Sequence, residues 1–250
     1  MARIISVANQ KGGVGKTTTV LNLGVALHEE GKQVLLVDLD PQAALSTSLA
    51  VPVAETQATI YQVLLSQMPA AAAVITDKSR PDLVPANIDL AAAEVELVAE
   101  MGRERILADA LQPVHDCYDF IVVDCPPSLG LLTINALVAA DEVLIPLQCE
   151  YLAMRGLGLL LRTVDRVKAK LNPPLEVAGI LVTMYNGRTL HAQEVLAEVR
   201  QAFGQRVLPV IIKSSVRFKE APAAGLSILD YATSHEGARA YRALAKELMQ

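Results

Sequence analysis

The stretch "IISVANQKGGVGKTTT" (Ile4–Thr19) sets an apolar, β-branched run against a glycine-rich loop and then a helix-forming run. The loop follows the phosphate-binding pattern G-x-x-x-x-G-K-[ST] at Gly15, Lys16 and Thr17, but the first glycine of that pattern would fall at position 10, which is Gln10. Beside it stands Lys11, a second cation in a loop that already has its phosphate lysine. A strand before and a helix after are the context the motif needs. Gly12, Gly13 and Gly15 let backbone N–H groups turn inward around phosphate oxygens, and the helix opening near Lys16 adds the positive end of its dipole. Lys16 is then expected to reach the β- and γ-phosphates, and Thr17 to ligate Mg²⁺.

Outward from this loop, short apolar runs recur at 33–40, 119–126, 142–148, 176–184 and 206–212. Helical patterns lie between several of them, at 16–31, 131–140, 155–171 and 189–203. The alternation predicts an α/β fold, a doubly wound and mostly parallel sheet with helices on both faces, in which ligands bind beyond the carboxyl ends of the strands. The Ala-rich segment 52–112 suggests a short strand at "DLVPA" (82–86) but no placeable helices. With no linker or repeat, the 250 residues are expected to form one domain, 1–250.

Two acidic strand ends complete the candidate site. Asp38 and Asp40 close "LLVDLDPQ", and Asp124 closes "FIVVD". Asp124 fits a Mg²⁺ anchor acting through water, and Asp40, followed by Pro41, fits a residue that orients the attacking water. Each could instead cap a following helix, and for Asp38 the two readings balance.

Composition narrows the setting. The start of the chain has no charged leader or membrane-length apolar run, so a cytoplasmic protein is expected. Three scattered cysteines, Cys117, Cys125 and Cys149, suggest neither a disulfide framework nor a zinc site. The net charge of −5 hides an asymmetry: residues 1–150 hold 8 Lys and Arg against 19 Asp and Glu, and residues 151–250 hold 14 against 8. A basic carboxyl-terminal part can mark a polyanionic partner, or can be charge spread over solvated helices.

Together "KGGVGKTTT", "DLDPQ", "DFIVVDCPP" and "TMYNGRT" resemble the ParA/Soj family of chromosome- and plasmid-partition ATPases, nearly end to end. The resemblance implies a deviant phosphate loop, K-G-G-x-G-K-[ST], whose extra lysine (Lys11) crosses a homodimer interface to the ATP of the partner subunit. Two ATP molecules face to face concentrate negative charge, which a cation inserted from each side offsets. On this resemblance Lys11, Gly12, Gly13, Val14, Gly15, Lys16, Thr17 and Thr18 line the nucleotide phosphates. Gly12 keeps the meeting place of the two loops clear, and Thr17 and Asp124 serve the magnesium. Asp40 positions water, Cys125 to Gly130 form a mobile switch, and Asn186 meets the adenine. The chain departs from the family at "IKSSVR" (212–217) and at Arg155, where a Glu is common.

The resemblance further implies binding of double-stranded DNA without sequence preference, through Arg188, Lys213, Arg217 and Lys219, in keeping with the basic carboxyl-terminal part. It implies nucleoid association and a ParB-type adaptor that stimulates a slow ATPase. A membrane switch would need an amphipathic helix at "EGARAYRALAKELMQ" (236–250), but its stripe of Tyr241, Leu244, Ala245 and Leu248 is Ala-rich and reads better as core packing. An iron–sulfur ATPase would need ligand cysteines in other contexts. Positioning of a protein cargo on the nucleoid stays open. From the position of Ile4, no amino-terminal DNA-reading domain is expected.

Overall fold

A computed structural model describes residues 1–51, 58–150 and 153–250. Seven strands form one sheet: β1 (Arg3–Val7), β2 (Val34–Asp38), β3 (Asp82–Val84), β4 (Phe120–Asp124), β5 (Glu142–Gln148), β6 (Glu176–Tyr185) and β7 (Val207–Lys213). Their order is β3-β2-β4-β1-β5-β6-β7, and every neighbouring pair is parallel. The helices are α1 (Lys16–Glu29), α2 (Ala44–Ser48), α3 (Ile60–Leu64), α4 (Ala70–Ala73), α5 (Leu90–Glu96) and α6 (Ile106–Leu111). They continue as α7 (Leu131–Ala139), α8 (Ala153–Lys170), α9 (Leu190–Phe203), α10 (Arg217–Ala223), α11 (Ile228–Tyr231) and α12 (Glu236–Leu248).

The strands read as continuous apolar runs because both faces are covered, and alternate residues serve different layers. In β4, Phe120 and Val122 join a core with α1, α2, α11 and α12, whereas Ile121 and Val123 join the core of α3 and α5 to α9 on the opposite face. In β2, Leu36 and Leu35 divide in the same way. Pro146 sits inside β5 without breaking the sheet, because β1 pairs with β5 only as far as Val7 and Leu144. Beyond that point the proline needs no ladder donor on that side, and its carbonyl accepts from Asn9 Nδ2 at 2.7 Å.

The predicted doubly wound sheet is present, with the expected short strand at 82–84 on its edge. The helices that the Ala-rich segment concealed are α3 to α6, of four to seven residues, too short for a 3.6-residue period to stand out. The stripe of α12 faces inward. Tyr241, Leu244, Ala245 and Leu248 are buried, with Tyr241 OH 3.3 Å from Thr19 Oγ1 on α1. Among the described residues no helix is long and apolar enough to cross a membrane.

Candidate phosphate and metal site

Sheet register brings the site together. Asp38 on β2 and Asp124 on β4 are direct register partners, and Asp124 is also the partner of Val7, the last residue of β1 before the glycine loop. The carboxyl ends of three adjacent strands therefore open at one place, where Lys16 begins α1. Two bonds pin the loop: Lys11 N–H donates to Asn9 Oδ1 at 2.9 Å, and Thr183 Oγ1 on β6 donates to the Val14 carbonyl at 2.8 Å. Asn9 is a contributor that the sequence reading missed, although its place just after β1 was a signal. Val14 itself is buried, so it anchors the loop through its backbone and side chain.

Gly13 and Gly15 have φ of 73° and 87°, a region that L residues rarely adopt. Gly15 opens α1 with no side-chain cap, leaving the first-turn N–H donors of a 14-residue helix for a ligand at its positive end. Gly12 differs. It has no positive φ, and a Cβ there would meet only Pro127 Cβ at 3.8 Å, an ordinary contact. Nothing within one chain demands glycine at position 12.

The electrostatics are those of buried charge held close together. Lys16 is 6% exposed, and its ammonium donates to the Lys11 carbonyl at 3.3 Å. Burial lowers its pKa, opposed by the carboxylates of Asp124 and Asp40 and by Cys125. Asp124 is fully buried and neither of its oxygens accepts a well-formed hydrogen bond. Burial pushes its pKa well up and neighbouring Asp38 adds to this, while the nearby Thr17 hydroxyl and Lys16 ammonium pull the other way. An orphaned carboxylate beside a threonine hydroxyl, at the opening of a helix, suits a hard divalent cation with oxygen ligands. Thr17 and Asp124 therefore fit Mg²⁺. Among the described residues no cluster of three or more His, Cys, Asp or Glu could hold a metal.

Asp38 is the opposite case, a buried acid with its oxygens occupied. Its Oδ2 accepts from Ser46 N at 2.9 Å and Ser46 Oγ at 2.7 Å, and its Oδ1 from Asp40 N at 3.2 Å. Burial raises its pKa to about 6 against these bonds. Ser46 Oγ also accepts from Ala86 N at 3.0 Å, tying the segment after β2 to the one after β3. Asp38 and Ser46 thus hold the turn that presents Asp40. Asp40 is partly exposed and accepts from Gln42 N at 3.0 Å, with the turn closed by Ala43 N–H on the Asp40 carbonyl at 2.8 Å.

Beside the loop lies an apolar slot of about 150 Å³, bounded by Gly15, Thr18, Met184, Ile212, Phe218 and Tyr241 and reached by Lys213 and Lys219 at its edge. Asn186 does not line this slot. It is exposed in the adjoining cleft of about 510 Å³, which shares Lys213 and Ser214 with the slot. Met184, Phe218 and Tyr241 escaped the sequence reading because they come from β6, α10 and α12 and meet only after folding.

The remaining cations lie on the surface. Lys11 Nζ is paired with Glu150, both about half exposed. Arg188, Lys213, Arg217 and Lys219 are all exposed. Lys213 Nζ bonds Glu236 and Arg217 Nη1 bonds Glu220, each at 2.8 Å. Such exposed pairs are worth ~0–1 kcal/mol and yield readily to a stronger anion. Arg155, on the first turn of α8, is exposed as well.

Comparison with known proteins agrees with this geometry. A family model described as an AAA domain matches residues 2–177. The chain is 47% identical to the chromosome partitioning protein ParA of Myxococcus xanthus, over 100% of this chain and 89% of that one. It is 46% identical to the sporulation initiation inhibitor protein Soj of Bacillus subtilis, over 99% and 98%. A crystal structure named cobyrinic acid a,c-diamide synthase from Mycobacterium smegmatis, with bound ADP and magnesium, superposes with a TM-score of 0.89 at 42% identity, covering 100% of this chain and 94% of that one. The glycine loop with its second lysine, the paired acidic strand ends and full-length identity to named partition proteins converge: the chain belongs to the ParA/Soj family of chromosome-partition ATPases.

Proposed function

We propose that the chain is an ATP-driven partition switch that dimerises on Mg²⁺-ATP, binds double-stranded DNA without sequence preference as a dimer, and leaves it after hydrolysis stimulated by a ParB-type partner. One observation carries the reading: Asp124, buried and unpartnered, stands in register with Asp38 and beside Lys16 at the mouth of the glycine loop.

In this reading the loop from Lys11 to Thr18 cradles the phosphates through backbone N–H groups, with Lys16 supplying the counter-charge. Thr17 and, through water, Asp124 hold Mg²⁺, which when bound neutralises charge on the phosphates. Asp40, presented by the Asp38–Ser46 bracket, orients the attacking water. The apolar slot takes the base, with Asn186 at its approach. Lys11 exchanges Glu150 for the phosphates across the dimer interface, and Cys125 to Gly130 sense the γ-phosphate. That segment lies against Gly12 through Pro127 at an ordinary contact distance, and in this reading the glycine at 12 keeps room for the loop of the second subunit. The name of the M. smegmatis structure denotes an amide-forming enzyme. It shares ATP chemistry with this reading and diverges from it beyond the phosphates, and the partition names belong to relatives matched over the full chain.

Four cations per subunit become eight when two subunits lock together, and the second contact is then intramolecular, so the ATP dimer outbinds the monomer on DNA. The test is a gel-shift titration of arbitrary duplex DNA with ATP and with ADP. Binding is expected with ATP only, falling steeply with salt, and Arg217→Glu is expected to lose it while keeping nucleotide binding and the dimer. Equal binding with ADP, or an unaffected Arg217→Glu variant, would refute the DNA reading.

A further inference from the structure

Helix α8 turns unlike side chains to its two sides. Ala153, Leu157, Leu160, Val164 and Val167 are buried in the core shared with α7 and α9. Arg155, Leu159, Arg162, Arg166 and Lys170 are exposed. At roughly 100° per residue these five fall within an arc of about 80°, diametrically opposite the buried stripe. The helix has 18 residues and runs about 27 Å, so the cations form a row along most of that length.

Carboxylates are missing from this row. Asp165 is the one acid of α8, against five Lys and Arg. Lys168 is paired with Glu176, but among the described residues no carboxylate lies within salt-bridge distance of Arg155, Arg162, Arg166 or Lys170. Lys213 and Arg217, by contrast, each have a glutamate. Arg162 and Arg166, and Arg166 and Lys170, stand four positions apart, where like charges on a helix repel. A face kept only for solvation gains nothing from that repulsion, whereas a polyanion relieves it. The row offers one large apolar side chain, Leu159, 36% exposed, too little to insert into lipid.

We infer that the outer row of α8 is a second contact for the phosphates of double-stranded DNA, through which one protomer joins two duplex segments. Phosphate contact asks for cations and for no base-reading geometry. The place of the row makes the second segment necessary. Helix α8 belongs to the layer on one face of the sheet, whereas α10, which carries Arg217 and Lys219, packs through Phe218 into the layer on the other. A domain of 250 residues has a radius of gyration of about 18 Å, and DNA keeps its direction over about 500 Å. A duplex lying on α10 would have to fold back around the body to reach α8, and four cations cannot repay that bend. The inference rests on the DNA-binding reading above and adds bridging to it.

The experiment separates the two. A short biotinylated duplex of arbitrary sequence is fixed to beads, and recovery of a second, fluorescent duplex is measured with the full chain and Mg²⁺-ATP, beside a gel shift of one duplex alone. The wild type is expected to recover the second duplex, with recovery falling on the order of a hundredfold between about 50 and 200 mM salt, as four phosphate contacts dictate. Arg162→Gln with Arg166→Gln is expected to cut recovery at least about tenfold while leaving the single-duplex shift within about twofold and the urea midpoint unchanged. Arg162→Lys with Arg166→Lys should retain recovery, because phosphates here ask for charge and not for a fork. A wild type that shifts one duplex but recovers no second, or a glutamine variant that recovers as much as wild type, would overturn the inference and leave the DNA reading standing. Recruitment to phosphatidylglycerol vesicles that the glutamine variant loses would give the row to a lipid surface and overturn it too, as would self-association without DNA that the variant abolishes. A wild type that shifts no duplex with ATP would refute the DNA reading itself, and this inference with it.

Discussion

Replacing Asp124 by asparagine is expected to stabilise the nucleotide-free protein while destroying its response to Mg²⁺-ATP. The carboxylate is fully buried with neither oxygen accepting a well-formed hydrogen bond. Holding such an ion costs several kcal/mol after relaxation, partly offset by Lys16 nearby. An asparagine of the same shape removes the charge and leaves a buried amide, itself worth ~1–3 kcal/mol of lost hydrogen bonding. The net gain is on the order of 2 kcal/mol, or about 4–8 °C in melting temperature for a chain this long. The pH dependence has a definite sign. A carboxyl whose pKa is raised on folding contributes stability that is fully present below its unfolded value and is lost as pH rises through its folded one. The wild type should therefore weaken toward alkaline pH and the asparagine variant less so, widening the gap between pH 6 and 8.5. Urea denaturation at both pH values, without nucleotide and then with saturating Mg²⁺-ATP, measures this. With ligand the order should invert, because a ligand at 100 times its Kd adds ~2.7 kcal/mol to the protein that binds it. A variant no more stable than wild type at pH 8 without ligand would show that Asp124 is not a bare buried charge.

Three further outcomes are expected. Ser46→Ala removes a donor to Asp38 and the acceptor of Ala86 N–H together, so it should cost about 2–4 kcal/mol in urea denaturation; a loss under ~0.5 kcal/mol would dismiss the bracket. Asp40→Ala should bind ATP normally and cut phosphate release roughly a hundredfold, the scale of a misplaced reactant, with a wild-type rate removing Asp40 from the mechanism. Lys11→Ala should bind ATP through Lys16 yet stay monomeric in sedimentation with ATP, whereas Glu150→Gln should favour the dimer by no more than about fivefold, since an exposed pair is worth at most ~1 kcal/mol; normal dimerisation of Lys11→Ala would confine that lysine to its own subunit.

Much of the protein was legible before folding was considered. The glycine loop, strand-end acids and alternation of apolar runs are local, and each has a local cause: backbone freedom at glycine, a helix start, burial of both sheet faces. They were sufficient for the sheet and the family, and they mark where the phosphate site is proposed. Tertiary structure decided what depends on register and on side chains far apart in sequence. Only strand pairing places Asp38 against Asp124, and only the turn after β2 folding onto Ser46 separates a hydrogen-bonded structural acid from a buried acid without partners, a distinction that identical residue types cannot carry. The slot joins Gly15 to Met184, Phe218 and Tyr241, and the α12 stripe became core rather than a membrane anchor because Tyr241 meets Thr19 across 222 positions. The bare cations of α8 stayed hidden for the same reason: the sequence shows a basic helix, and only packing shows that they share its uncovered side without acids while Lys213 and Arg217 each find one.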